Sequence, residues 1–365
     1  MRSAHALKKT VTELYPQSEV VILDTFRYAN PLLEKIVIGT YMEMLKISPV
    51  IHGYLYHRAE RDQPFASRGK TEFNRILNLI AAPKLENFIK YFQPEIIVCT
   101  HPFPLGIISN LKKKGVFRGI AFAVITDYTV HYFWVFPGID CFLIGSEILI
   151  SECKELGIEP KKVCPTGIPI DPEFNKRYDQ RRLKEQMGFN PMLPVILIIG
   201  GGLGMGPLEL VVKVLGEGSH NRQLLVVTGT NKALQEKLSE ITHGFSCQVK
   251  VFGYVNNMHQ LMALSDLMIG KAGGLTCAEA MASGLPLFIV DPLPGQEEKN
   301  AKFMVSMGTG VRIREKDLAD TVKNYLKNQK MLKKIAETAI ARGKPNAAYD
   351  AVKIMAEAVS KGNHG

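Results

Sequence analysis

The stretch GKAGGLTCAEAMASGLPLFIVDPLPGQEEKN, residues 270–300, decides how this chain is read. Leu267, Met268 and Ile269 close a short apolar run just before it, as a buried strand would. Gly273 and Gly274 then let the backbone turn sharply and come close to a ligand. Thr276 and Glu279 have the spacing of a capping box, which predicts a helix over 278–282. Ser283, Gly284 and Pro286 end that helix, and residues 287–290 form a second apolar strand. Residues 292–300 have the composition of a loop rich in hydrogen-bonding side chains. Strand, glycine turn, helix, strand is the repeating unit of a parallel α/β sheet. A helix start beside a glycine turn offers unpaired N–H groups and the positive end of the helix dipole to an anion. Two side chains there have alternative readings. Lys271 either adds a positive charge at the turn or lies on the surface. Glu279 either accepts hydrogen bonds from a ribose diol or caps its own helix.

Working outward, residues 195–199 are another apolar run, and they enter GGGLGMG at 200–206. Gly201, Gly202 and Gly204 are placed to cradle phosphate through backbone N–H groups. No G-K-[ST] follows, so this is not a P-loop. Further strands are expected at 224–227, 249–252 and 310–314. The second meets the turn Gly253-Tyr254-Val255-Asn256-Asn257-Met258, and helices fill 316–360. Residues 175–194 are charged and broken by Gly188, Pro191 and Pro194, as a linker would be. This organisation predicts a first domain over 1–175 and a second over 192–340. A terminal helix is expected within 341–365.

The first half has the same alternation. Helices are expected at 1–14, 73–91 and 146–156, with strands at 20–23, 95–100, 119–126 and 139–144. His101 follows the second of these strands and Asp127 the third. An aromatic loop after Asp127 carries His131 and the chain's single tryptophan, Trp134. Residues just past the carboxyl ends of parallel strands line the ligand crevice, which makes His101, Asp127 and His131 candidate catalytic residues. His101 has a plainer alternative, packing against its own Pro-rich turn. Residues 28–58 are unusually apolar and aromatic for a connector. They form either a core-packed helical hairpin or an element that dips into a lipid interface, with Arg58, Arg61, Arg68, Lys70 and Arg75 at headgroup level.

Bulk properties narrow the class. The 365 residues are enough for two domains, and no apolar run is long enough to span a membrane. Six scattered cysteines have no metal-binding spacing, and no D-x-D pair of a metal-dependent sugar transferase occurs. The net charge of +10 favours anionic partners. No nucleic-acid motif is present, so an anionic membrane surface is the expected partner.

The pattern G-G-L-T-x-x-E-A, G-L-P, P-G-Q-E-x-x-N resembles the donor-nucleotide segment of family 28 glycosyltransferases. The P-G-Q-E loop is most similar to the branch of monogalactosyldiacylglycerol synthases and processive diacylglycerol glucosyltransferases. The G-[YF]-V-x-x-M turn at 253–258 and the order of elements over 119–170 resemble that branch too. The resemblance implies a GT-B fold, two doubly wound Rossmann-like domains facing across a cleft, with the terminal helix of 341–365 packed back on the first domain. It implies inverting transfer of glucose or galactose from a UDP-sugar to diacylglycerol, with no cofactor and no metal, by a peripheral protein on the cytoplasmic face of the membrane. The donor would then be held at Gly201, Gly202, Gly204, Tyr254, Val255, Lys271, Gly273, Gly274, Leu275, Thr276, Glu279, Gln296, Glu297 and Asn300. Among these, Tyr254 and Val255 would read uracil, Glu279 ribose, and Gln296 and Glu297 the sugar. Rival readings are a peptidoglycan-precursor N-acetylglucosaminyltransferase, a UDP-sugar epimerase, and a nucleotide-sugar-binding protein without catalysis. Residues 1–7, MRSAHAL, align with the family's G-H-x-R-A-A-x-A-L helix only from the Arg onward. On that alignment the family's first strand and its acceptor-side His would precede Met1. Either the native chain is longer, or this is a shortened form that binds donor and transfers poorly.

Overall fold

In the computed structural model, residues 1–29, 63–217 and 220–362 are described, with backbone alone for 63–74, 76 and 77. The proposed lipid-facing segment 28–58 falls almost wholly outside them. Among the described residues, short runs of aliphatic residues form ten strands in two all-parallel sheets, one with the order β1-β2-β3-β4 and one with the order β10-β9-β8-β5-β6-β7. The strands are β1 (Ile96–Cys99), β2 (Ile120–Val124), β3 (Cys141–Leu143), β4 (Val163–Cys164), β5 (Val195–Ile199), β6 (Gln223–Val227), β7 (Val249–Phe252), β8 (Leu267–Gly270), β9 (Leu287–Val290) and β10 (Gly310–Ile313). β5, β6 and β9 are buried at every position, as expected where helices cover both faces of a parallel sheet.

The chain divides into two units. One holds Met1–Pro172 with Pro294–Gln296 and Asn346–Gly365, the other Glu173–Leu293 with Glu297–Pro345. In the first, Leu7 of the helix Arg2–Leu14 and Ala351, Val352 and Met355 of the helix Ala347–Gly362 pack on Phe122, Val124 and Leu143. Tyr349 donates to the Glu13 carboxylate over 2.8 Å and ties the two helices together. The other sheet face is covered by the helices Gln63–Phe92, Pro102–Lys113 and Ile150–Glu155, with Leu85, Leu105, Ile107, Leu111 and Cys153 in the core. In the second unit, Val211, Val212 and Leu215 of the helix Leu208–Gly216 pack on Ile196, Leu224 and Val226.

Four expectations need correction. Residues 20–23 are not a strand, although Leu23 packs against the core. Their apolar run satisfies local periodicity, but a strand needs a non-local ladder, and β1 pairs with β2 and no other described segment. The helix after β8 spans Gly274–Ala282 and its N-cap is Gly273. Thr276 is therefore the third helical residue and caps nothing, and Glu279 lies in the second turn rather than the first. Finally, residues 296–300 are not loop but the start of the helix Gln296–Ser306, which buries Asn300, Ala301 and Met304. The expected helix 146–156 is split into a 3₁₀ turn, Glu147–Leu149, and the helix Ile150–Glu155.

Candidate functional site

In the second sheet the chain leaves β5 for β6 and β7 on one side, then returns to β8, β9 and β10 on the other. β5 and β8 are direct neighbours, with Ile199 opposite Gly270. The loops after these two strands lead away in opposite directions, and such a switch point is where open parallel sheets bind ligands. Both glycine-bearing turns singled out in the sequence sit at this point.

The turn after β5 is built by mutual bracing with the turn after β6. Thr230 donates its amide and its hydroxyl to the Gly202 carbonyl, at 2.9 and 3.1 Å. A Cβ on Gly204 would lie 2.1 Å from the Thr228 carbonyl oxygen, and φ there is +62°. Gly204 is thus demanded by packing. Its amide is already donated to Gly201, and that of Met205 to Gly200. Gly201 and Gly202 face open space. No described hydrogen bond uses their amides or that of Leu203. The amides of this turn left open to an anion are therefore those of 201–203.

After β8, the first amide bonded within the helix is that of Cys277, to the Gly273 carbonyl. The amides of Gly274, Leu275 and Thr276 precede it, and no side chain caps them. Lys271 is not a surface lysine. Its side chain is 13% exposed, and Nζ lies 3.8 Å from Glu297 Oε2. Burial pushes its ammonium pKa down, while Glu297 and Asp291 pull it back up. A Cβ on Gly206 would lie 3.2 Å from Lys271 Cε, so the lysine stem runs against the glycine turn. Glu279 is the only carboxylate buried among the described residues, at 5% exposure. A carboxylate is an acceptor-only group with two oxygens, which suits a side chain that binds hydroxyls. Asn300 is buried at 1% and donates to the Ala272 carbonyl over 3.0 Å. It therefore holds the Lys271–Gly273 turn from behind. Glu297 Oε2 also accepts the Leu293 amide at 2.9 Å, and Gln296 is the first residue of its helix. Tyr254 is 56% exposed beside half-buried Val255, after the end of β7.

In the first unit, His101 follows β1 and Asp127 follows β2, the adjacent strand. His101 is the N-cap of the helix Pro102–Lys113, and its Nδ1 accepts the Phe103 amide at 3.3 Å. Desolvation and then the Met1 ammonium push the ring down to about 4. The ring keeps an exposed edge, and the occupied Nδ1 acts in the same direction by favouring the neutral form. Nε2 then carries the proton, which leaves His101 without a free basic nitrogen. The plainer reading, a ring packed on its own turn, fits. His131 precedes the 3₁₀ turn Tyr132–Trp134, with its ring 6.2 Å from that of Trp134. The approach to His131 is pinned by Glu152, which accepts the Val130 amide at 2.7 Å and the Thr129 hydroxyl at 3.3 Å.

Sequence reasoning missed three contributors: Asn300 as a brace, Glu152, and the Lys271–Glu297 contact. The Asn in P-G-Q-E-x-x-N was visible, but its role needed the helix to be recognised.

Two parallel three-layer units, one with an anion-ready switch point, define a two-domain α/β protein of the GT-B class. Solved structures agree on the fold. MurG of Acinetobacter baumannii is 16% identical with a TM-score of 0.56, over 78% of this chain and 79% of that one. Anabaena HepE in complex with UDP-glucose is 16% identical with a TM-score of 0.53, over 78% and 82%. Residues 1–170 match the family described as monogalactosyldiacylglycerol (MGDG) synthase, and residues 195–355 the glycosyltransferase family 28 C-terminal domain. The processive diacylglycerol beta-glucosyltransferase of Bacillus pumilus is 29% identical over 87% of this chain and 81% of its own. Monogalactosyldiacylglycerol synthase 3 of Arabidopsis thaliana is 32% identical over 74% of this chain and 61% of its own. The chain belongs to the family 28 glycosyltransferases, in the branch of MGDG synthases and processive diacylglycerol glucosyltransferases.

Proposed function

We propose that this protein transfers glucose or galactose from its UDP-sugar to diacylglycerol with inversion. The observation that carries the reading is the switch point. The amides of 201–203 and 274–276 converge there with Lys271, beside the buried Glu279. The free hydroxyl oxygen of diacylglycerol attacks the anomeric carbon and loses its proton to a base. The bond to the diphosphate breaks, and UDP leaves. Negative charge grows on the diphosphate as that bond breaks, and fixed N–H dipoles with one ammonium are suited to meet it without a metal. Asp127 and His131 are the candidates for the base. They follow β2 in the first unit, and Glu152 fixes the backbone between them.

No helix among the described residues is long and apolar enough to cross a membrane. With a net charge of +10, the reading places the protein peripherally on an anionic membrane, at its cytoplasmic face. The test is transfer of radiolabel from UDP-glucose and UDP-galactose to diacylglycerol in liposomes. Labelled glycolipid from either donor supports the reading. Release of free sugar alone, or its epimerisation, refutes it.

A further inference from the structure

Lys271 and Glu297 meet at the point where the donor's diphosphate would sit, and that raises the question of what Glu297 does there. Its Oε2 is fixed by the Leu293 amide at 2.9 Å, so the carboxylate does not swing freely. From that anchored position it stands 3.8 Å from Lys271 Nζ. A charge-assisted hydrogen bond closes at about 2.7–2.9 Å, so this is Coulombic contact without a closed bond. Lys271 cannot easily retreat, because its stem lies against Gly206. Desolvation disfavours the charged ammonium, and a nearby anion offsets part of that cost. Glu297 and Asp291 supply that charge, with Glu297 the stronger influence.

We infer that Glu297 is a resting-state stand-in for the donor's diphosphate on Lys271, and that a nucleoside diphosphate binds by exchange with it. The inference rests on the donor reading above. Phosphate oxygens would close short bonds to Nζ where the carboxylate stops at a distance, and they would also meet the amides of 201–203 and 274–276. Glu297 would keep its Leu293 bond throughout. Binding would therefore include the cost of drawing one ammonium away from one anchored carboxylate and of facing that carboxylate's charge.

Calorimetry with UDP tests this, because UDP lacks the sugar that Glu297 would otherwise touch. The variant is Glu297→Gln, since an amide oxygen still accepts the Leu293 N–H and the loop keeps its bond. Removing the competitor should tighten UDP about threefold, the scale of a partly exposed ion pair. Uridine, with no phosphate, should bind both forms alike. Lys271→Gln should weaken UDP about tenfold or more. In that background Glu297→Gln should tighten it less, because only the carboxylate's direct repulsion of the diphosphate is then relieved. If the wild type binds UDP and Glu297→Gln binds it equally or more weakly, the stand-in role is overturned while the donor reading survives. If the wild type binds no UDP, the donor reading falls and takes this inference with it.

Discussion

Asn300 donates its side-chain amide to the Ala272 carbonyl across 3.0 Å, from a position 1% exposed. One bond thus ties the helix Gln296–Ser306 to the turn that carries Lys271. Asn300→Ala would leave that carbonyl without its bond. The expected loss is about 1–3 kcal/mol of stability in denaturant titration, with a weaker UDP affinity because the turn loosens. Unchanged UDP affinity would return Asn300 to a purely structural role.

Glu279 is the buried carboxylate in the second turn of the helix Gly274–Ala282. Glu279→Gln keeps its shape and removes its charge. UDP binding should weaken by about 1.5–3 kcal/mol, the scale of a hydrogen bond to a charged group. Stability should change less than affinity, because the amide keeps the side chain's shape and one acceptor oxygen. Calorimetry beside thermal melts separates the two effects. A variant that melts lower and binds UDP as before would show that the carboxylate serves the fold alone.

The sheet was largely legible in the sequence because its signals are local. Ile196 to Ile199 and Leu287 to Val290 can scarcely be anything but buried strands, and the glycines after β5 and β8 announce turns. Two helix starts misled for a physical reason. Thr276 and Glu279 have capping-box spacing by coincidence, and Gly273 took the N-cap position first. Glu297, Glu298, Lys299 and Asn300 read as loop because the helix packs through few residues, Asn300 among them. The run 20–23 failed because strand pairing is non-local. The Lys271–Glu297 contact and the Glu152 brace join residues 26 and 22 positions apart, and no local pattern reports them.

Away from the candidate site, Lys184 donates to Asp266 at 2.8 Å and to the Leu193 carbonyl at 3.1 Å, with its side chain 5% exposed. Asp266 also accepts the Val195 amide at 2.7 Å, at the amino end of β5. This network lies at the opposite end of the strand from the glycine turn. Lys184→Met should therefore cost about 1.5–3 kcal/mol in denaturant unfolding and leave the UDP dissociation constant unchanged. A change in UDP affinity at equal stability would contradict that separation.

The His101 ring gives a pH test. Its pKa is pushed from 6.5 to about 4 in the folded protein. Between these values the unfolded chain takes up a proton that the folded chain refuses. The contribution to stability is therefore complete above pH 6.5 and is lost as pH falls through the window. His101→Asn keeps an N-capping side chain without a titrating group. Its melting temperature should fall less than the wild type's between pH 7 and pH 4.5. Equal falls would remove His101 from the acid response.

The glycine turn after β5 allows the fold and the ligand to be tested apart. Gly204 has φ +62°, and its Cβ would lie 2.1 Å from the Thr228 carbonyl oxygen, an approach that only backbone movement relieves. Gly204→Ala should thus lower stability by about 1–3 kcal/mol or more, as strain at a left-handed position does, and displace the turn. Gly202 lacks a left-handed φ and has nothing within 4 Å of its Cβ position. Gly202→Ala should therefore fold as the wild type does, with an unchanged melting temperature. Its methyl group would instead stand in the space where phosphate approaches the amides of 201–203. UDP affinity should fall about tenfold if the backbone comes as close to the diphosphate as glycine-rich turns do. Stable Gly202→Ala protein with full UDP affinity would show that the diphosphate lies elsewhere, against the helix start at Gly274 alone.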